Sequence, residues 1–376
     1  MTLKKILGQI HLWLGLASGL VLFIVSITGA LYAFQEEYDS WAKHDLLFVN
    51  RPANAVRLSP ERLLQIAKTA YPKEKLAQVR LRNNPVNASA MVYTNKRGII
   101  YINPFSGEVL GNYALHQDFM ALVLQIHLNL LLGEVGEEII KWNVLIFMIM
   151  LLSGLYLWFP SKRNQLKSAF KMKWSASWKR INYDLHNVWG FYMVWMLLPI
   201  AWTGIFWVFD SVPATIYKLD GTKMTYKKKV ASTYRPVAKQ CSLDSLFTIA
   251  ESYGEYAYAS IQLPKDSIGT FRFVVRYPYQ FIRKQNVLTF DQYSGELLLE
   301  ELHTNYATAD KIRVSNYDLH TGRMFGFLGK FAAFIGGLFG ASLPVTGFMI
   351  WWNRKKKSKQ SSGSGKMRSR RLDPVP

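Results

Sequence analysis

One cysteine, Cys241, stands in a chain of 376 residues, so no intrachain disulfide can form. No Cys-x-x-Cys-His occurs, which excludes covalent attachment of a c-type haem. No strand is followed by Gly-x-Gly-x-x-Gly, and there is no P-loop, so the chain carries no nucleotide-binding domain of its own. Gly-x-Ser-x-Gly and His-Glu-x-x-His are also missing, which leaves hydrolase chemistry without support. Acids are scarce, 25 against 46 Lys and Arg, for a net charge of +21. A surplus of that size raises the question of nucleic acid. Its distribution answers with topology instead. Lys4 and Lys5, the connection 160–185 (seven Lys/Arg against one acid) and the stretch after Trp352 (nine against one) together hold +16 of the +21. The connections 36–118 and 210–318 are close to balanced.

The chain is 50% hydrophobic, and its apolar residues concentrate in four runs, near 10–34, 139–159, 188–209 and 331–352. Each is long enough to cross a hydrocarbon core of roughly 30 Å. Trp158, Trp207, Trp351 and Trp352 at their ends suit interfacial belts. By the positive-inside rule both termini and the middle connection are cytoplasmic, and the two long connections lie outside. The basic clusters are then orientation signals and contacts for anionic lipid, not a nucleic-acid surface. The first run is too long for a cleaved signal peptide and lacks a small-residue cleavage site, so it is expected to be a retained span. From Ser361 onward, Ser-Ser-Gly-Ser-Gly and a basic run read as a linker or expression scar.

The sequence also doubles. Asn-Tyr-Asp-Leu-His occurs at 182–186 and again at 316–320, each copy just ahead of an apolar run. His11 is followed at +4 by Gly15 and at +17/+18 by Thr28-Gly29; His186 is followed at the same spacings by Gly190 and Thr203-Gly204. His127 is followed at +6, +9 and +26/+27 by Gly133, Gly136 and Ser153-Gly154; His320 has Gly326, Gly329 and Thr346-Gly347 there. Each long connection carries an amphipathic helix pattern, near 60–71 and 243–253. Strand-like alternation follows at 91–93, 99–102, 271–276 and 287–290, with Ser-Gly-Glu turns at 106–108 and 294–296. The unit of span, outer α+β domain and span therefore occurs twice in parallel, related by an axis along the membrane normal.

Matched histidines must then lie at matched depth: His11 and His186 near the inner face, His127 and His320 near the outer. Two neutral imidazoles facing each other across a bundle can supply both axial ligands of a haem iron. Gly15 and Gly190 lie one turn past their histidines on the same face, where a flat macrocycle would press. Zinc or copper is the competing metal reading, but no acid or cysteine recurs beside both histidines of a matched pair. Asp184 and Asp318, two residues before their histidines, either orient an imidazole as acceptors or cap a helix. The Gly133/Gly136 and Gly326/Gly329 pairs mark a break between a histidine-bearing helix and the span proper. His116 has no counterpart in the second unit and is a reserve ligand or a substrate contact. His44 and His303 read as ordinary surface residues.

His11-x-x-x-Gly15, the doubled Tyr-Asp-Leu-His, His320-Thr-Gly-Arg323 and the Ser-Gly-Glu turns resemble the PepSY-associated transmembrane proteins, often called iron-regulated membrane proteins, over about residues 5–355. That family includes bacterial inner-membrane ferric-siderophore reductases with four spans and two b-type haems. The resemblance implies that His11, His127, His186 and His320 are axial ligands of two non-covalent haem b groups. The family's outer hairpin has an Asp before the turn; here the second unit has Asp291 and the first has Asn103.

These readings give an α-helical membrane protein of four transmembrane helices in two parallel repeats, each with a PepSY-like α+β domain inserted. The expected divisions are helix 1 at 5–35, outer domain 1 at 36–115, interfacial helix and helix 2 at 116–160, and the cytoplasmic loop at 161–185. Helix 3 at 186–210, outer domain 2 at 211–315, interfacial segment and helix 4 at 316–353 and a basic tail at 354–376 complete the chain. Electrons from a cytoplasmic reductase or quinol would enter at the His11/His186 haem, pass to the His127/His320 haem and leave to a periplasmic ferric siderophore. Arg272, Arg276, Arg283 and Arg323 are candidate contacts for an anionic chelate, or simply a solvated face. The alternative is a non-enzymatic membrane module that binds or restrains an envelope protease or another partner. A transporter ranks last, since broken spans with paired midplane charges are lacking.

Overall fold

The computed structural model describes residues 2–96, 98–224, 228–235 and 241–368, with side chains described as far as Lys355. Two compact units share the chain. One is a helix bundle of residues 1–33, 123–209 and 319–376; the other, built on a sheet, takes 34–122 and 210–318.

In chain order the first half runs α1 (Leu3–Tyr32), α2 (Gln35–Ala42), α3 (His44–Leu47), α4 (Pro60–Ala70), β1 (Leu76–Arg82), β2 (Ala90–Thr94), β3 (Gly98–Ile102) and β4 (Val109–Ala114). A 3-10 turn, Leu115–Gln117, leads to α5 (Phe119–Asn129) and α6 (Gly133–Trp158). After α7 (Leu166–Ala169), α8 (Trp178–Asp184) passes through a π-helical turn, Leu185–Trp189, into α9 (Gly190–Val208). The second half continues with α10 (Ser211–Leu219), α11 (Leu243–Glu251), β5 (Tyr258–Gln262), β6 (Thr270–Arg276), β7 (Gln285–Asp291), β8 (Leu297–Glu301), α12 (Thr308–His320) and α13 (Gly326–Arg368).

Among the described residues four helices are long and apolar enough to cross a membrane: Leu3–Tyr32, Gly133–Trp158, Trp178–Val208 and Arg323–Lys355. Within the bundle α1 packs against α6 and α13, and α9 packs against the same two. Phe147, Leu151, Val194, Leu197 and Ala201 form its buried middle. The spans start earlier than the apolar runs suggest, because Lys4, Lys5, Lys179 and Arg180 continue the helices past the apolar boundary. His11 and His186 therefore lie about two turns inside helical segments, not at their first residue. The backbone of α13 runs on through the Ser-Ser-Gly-Ser-Gly stretch to Arg368, where a linker was expected, and nothing in the composition explains helix there. The last eight residues of the tail, 369–376, lie outside the described residues.

The expected break before each second span is present. Leu130, Leu131 and Gly133 take positive φ between α5 and α6, and Gly322 and Gly326 do so before α13. Gly136 is required for close approach: a Cβ there would fall 1.7 Å from the Asn129 carbonyl oxygen. Gly329 stands in the same relation to the Gly322 carbonyl, at 2.0 Å.

The sheet corrects one expectation. The two inserted segments do not make two separate domains; they share one antiparallel sheet of order β4-β3-β2-β1-β5-β6-β7-β8. The join is β1 against β5, with Val79 opposite Ile261 and Leu81 opposite Ala259. Four strands alone would leave an apolar edge at β1, and pairing the halves removes it. One face buries Val79, Val92, Ile100, Ile261, Phe273 and Leu288 against α4 and α11. Ser59 and Ser242 cap those helices by accepting from Arg62 N and Ser245 N. Alternation puts Arg80, Arg82, Arg272 and Arg276 on the opposite face. The Ser-Gly-Glu turns close hairpins through Gly107 (φ 79°) and Gly295 (φ 73°).

Candidate functional site: two histidine pairs in the bundle

Each sequence-matched pair of histidines comes together in the bundle. The ring centroids of His11 and His186 are 6.3 Å apart, with planes at 84°. Those of His127 and His320 are also 6.3 Å apart, at 67°. Metal–imidazole bonds are about 2.0–2.1 Å long; one ion between two facing imidazoles would hold the ring centres about 6 Å apart on that bond length. Thr28, which touches His127, lies 17 residues beyond His11 on the unbroken α1, so the two levels are roughly 25 Å apart along the helix. Among the described residues no group of three or more His, Cys, Asp or Glu gathers as a small-metal site would require.

What holds each ring is the residue pair that the repeat marks without assigning a role. His11 Nδ1 is 2.9 Å from Ser153 Oγ, and His186 Nδ1 is 2.9 Å from Thr346 Oγ1. His127 Nδ1 lies 3.3 Å from Thr28 Oγ1, and His320 Nδ1 lies 2.8 Å from Thr203 Oγ1. Every one of these hydroxyls already donates its proton to a carbonyl of its own helix: Ser153 to Ile149, Thr346 to Ser342, Thr28 to Ile24, Thr203 to Pro199, at 2.7–2.9 Å. The hydroxyl oxygen must then accept, so Nδ1 carries the ring proton. Backbone carbonyls of Val25 and Ile200 take a second share from His127 and His320, at 3.0 and 3.1 Å. With Nδ1 protonated in a neutral ring, Nε2 is the lone-pair donor, and among the described residues it makes no hydrogen bond.

The glycine after each hydroxyl residue completes the seat. A Cβ at Gly29 would lie 2.9 Å from His127 Cε1, one at Gly347 3.1 Å from His186 Cε1, and one at Gly154 3.2 Å from His11 Cε1. At Gly204 the nearest atom is Val144 Cγ2 at 3.2 Å, with His320 Cε1 at 3.9 Å. At Gly29, Gly347 and Gly154 the Cε1 atom of the imidazole thus comes close against bare helix backbone. His186 lies in the π-helical turn Leu185–Trp189, and such single turns are frequent at functional sites. Asn182 supports its seat by donating to the Thr346 carbonyl at 3.1 Å. Trp207 stands edge-on to His320 with ring centres 5.0 Å apart.

Other expected site residues fall elsewhere. A Cβ at Gly15 would meet Met150 Cε at 2.9 Å, and one at Gly190 would meet Leu343 Cδ2 at 3.6 Å, so apolar side chains stand against both. Asp184 and Asp318 neither orient an imidazole nor cap a helix. Asp184 accepts from Arg180 Nε at 3.0 Å and Lys173 N at 3.1 Å. Asp318, fully buried, is held by both arms of Arg283, one at 2.8 Å from Nε. Burial works against the Arg283 charge, but the Asp318 bonds hold the guanidinium above its usual range. Arg283 is therefore bound to its own carboxylate and is not free for an anionic chelate. Arg276 donates to Gln285 at 3.1 Å and lies over the Tyr258 ring. Burial lowers the pKa of Arg272 on the same strand face. Arg323 lies in a 3-10 turn, Arg323–Phe325, just past His320.

His116 is exposed in the turn Leu115–Gln117 and does not share a helix with His127. His44 is exposed beside Asp45, and His303 Nδ1 is 2.8 Å from Asn286 Oδ1. The Asn103/Asp291 difference also resolves. Asn103 Oδ1 accepts from Phe105 N and Ser106 N, and Asp291 Oδ1 accepts from Tyr293 N and Ser294 N. Either residue type closes this turn; Asp291 adds a bond from Thr233 N at 2.8 Å.

The fold and these sites define a multi-pass membrane protein with paired histidines between its spans and an α+β unit built on one antiparallel sheet. The chain belongs to the family described as PepSY-associated TM region, whose profile matches residues 9–354. No curated protein matches the chain.

Proposed function

We propose that the protein is a dihaem b-type reductase of a bacterial inner membrane, built as two parallel repeats, which delivers electrons to a periplasmic acceptor. A ferric siderophore is the acceptor this reading favours, since its oxygen-rich ligands hold Fe(II) far more weakly than Fe(III) and reduction frees the iron. The observation that carries the proposal is the pair of imidazole pairs. Each brings two imidazoles together with ring centres 6.3 Å apart, a spacing suited to one ion between them, and the described residues add no third donor, as a haem iron carrying its own macrocycle would require. Bound haem would supply reversible one-electron Fe(III)/Fe(II) chemistry at each level.

The chain's own residues do the rest. His11 and His186 would hold the inner group, His127 and His320 the outer. Ser153, Thr346, Thr28 and Thr203 hold each Nδ1–H and so keep each Nε2 free to ligate. Phe147, Leu151, Val194, Leu197 and Ala201 exclude water between the two levels. The positive-inside distribution supports cytoplasmic termini and a periplasmic sheet unit.

The test is an absorption spectrum of the purified protein with single and paired histidine variants. H186A should lose one haem, H320A the other, and the double variant both. A colourless wild type, after expression with haem supplied, would instead favour a PepSY module that binds an envelope protease or other partner.

A further inference from the structure

The two halves of the bundle match at the histidines but not on their flanks. Between α1 and α6 runs a groove of about 680 Å³, with Ala17, Ser18 and Val21 on one wall and Ile139, Trp142 and Ile146 on the other. Glu134 and Glu138, one turn apart, stand at one end of it. Counting from the matched histidines, the second half has Tyr192, Met193 and Met196 where α1 has Ala17, Ser18 and Val21. It has Phe327 and Phe331 where α6 has the two glutamates. There Met196 fills the space against α13, its Sδ 2.8 Å from where a Cβ on Gly336 would lie, and Phe327 stacks on Phe331. The groove is thus opened by small side chains in the first half alone, and only its mouth is acidic. Its floor is fixed by buried Asn143, which donates to the Ser18 carbonyl at 3.2 Å.

We propose that this groove is a binding site for a membrane quinol, a neutral ring with two hydroxyls on an isoprenoid tail. The proposal rests on the reading of the protein as a membrane redox protein and adds the site of a redox partner to it. From Glu134 to Ile146 the wall extends roughly 18 Å along α6, enough for several isoprene units. Carboxylates at the mouth accept hydrogen bonds from quinol hydroxyls; a phosphate-headed lipid would bring like charge against them. Glu138 is paired with Lys141 at 2.8 Å, which steadies it, and Glu134 lies one turn away. On α1, Val21 of the groove is one turn, about 6 Å, from Val25, whose carbonyl accepts from His127, so a quinol held here would exchange electrons with the His127/His320 pair and not with the His11/His186 pair where the sequence suggested entry.

The test is anaerobic photolabelling of the detergent-solubilised, reduced full chain with a diazirine-bearing quinol, with haem quantified on the same samples. We expect label on the peptide containing residues 134–146, displaced by excess short-chain ubiquinol but not by phospholipid. The variant A17Y/V21M, which installs the second half's residues at both positions, should lower labelling at least tenfold with haem content unchanged. E134Q/E138Q, at exposed positions that keep side-chain size, should weaken it severalfold if A17Y/V21M fails to fold. Label elsewhere, label displaced equally by phospholipid, or full labelling of both variants would overturn the site. Haem-loaded protein that takes no label sinks this inference alone, whereas labelled protein without haem sinks the dihaem reading and leaves the groove standing.

Discussion

Replacing the seat glycines by alanine grades the four histidine sites against one another. At Gly29 the new Cβ would stand 2.9 Å from His127 Cε1, at Gly347 3.1 Å from His186 Cε1 and at Gly154 3.2 Å from His11 Cε1. At Gly204 it would stand 3.9 Å from His320 Cε1, which is ordinary contact. The obstructed group is a ring, not the free end of a flexible chain, and its Nδ1 is tied to its hydroxyl or carbonyl acceptors. Moving the His127 ring away from Gly29 stretches the bonds to Thr28 Oγ1 and Val25 O, already at 3.3 and 3.0 Å. Overpacking of this kind costs about 1–3 kcal/mol, which is roughly 5- to 150-fold in ligand affinity. We expect G29A to lose the most haem on titration, G347A and G154A less, and G204A the least at the histidine level. Pyridine haemochrome quantification of each purified variant reads this directly. Equal loss in G204A and G29A, or no loss in G29A, would refute the seat.

Thr203→Val removes the acceptor 2.8 Å from His320 Nδ1 but leaves the Ile200 carbonyl; we expect a loss of about 1 kcal/mol in haem retention and a shifted potential at the His127/His320 site alone, read by redox titration. Arg283→Ala strands the fully buried Asp318 carboxylate and should destabilise the sheet unit by about 3–5 kcal/mol, with R283M/D318L recovering part of it in thermal melts. For Asp291, burial alone would raise the carboxyl, but N–H bonds from Ser294, Tyr293 and Thr233 hold it below its usual value. A lowered folded-state pKa gives stability that is full above the ordinary range near 4 and is lost as the pH falls below it. D291N, which keeps the turn as Asn103 does, should therefore flatten the acid limb of the melting curve below about pH 4.

The four spans, the paired histidines and the helix breaks at Gly133/Gly136 and Gly326/Gly329 were legible because each has a local cause: apolar length, a repeated spacing, a backbone that only glycine allows. Of the sheet, β2, β3, β6 and β7 were legible from their alternation, whereas β1, β4, β5 and β8 were not picked out. The union of the halves was not, since β1 and β5 lie some 180 residues apart and neither strand announces its partner. Thr28-Gly29, Ser153-Gly154, Thr203-Gly204 and Thr346-Gly347 were visible as a repeat, but the hydroxyl that accepts from Nδ1 belongs to the neighbouring helix, and only packing shows which. Asp184 and Asp318 misled for the opposite reason. Closeness in sequence to a histidine suggested a shared hydrogen bond, while their partners, Arg180 and Arg283, lie one turn back on the same helix and 35 residues away.

The central claim is that the two histidine pairs hold two haems. An oxidised and dithionite-reduced absorption spectrum of the wild type and H320A tests it most directly. Sharp low-spin b-type bands at two haems per chain, falling to one in H320A, are the expected result. A wild type with one haem or none, or an H320A variant that keeps two, would contradict it.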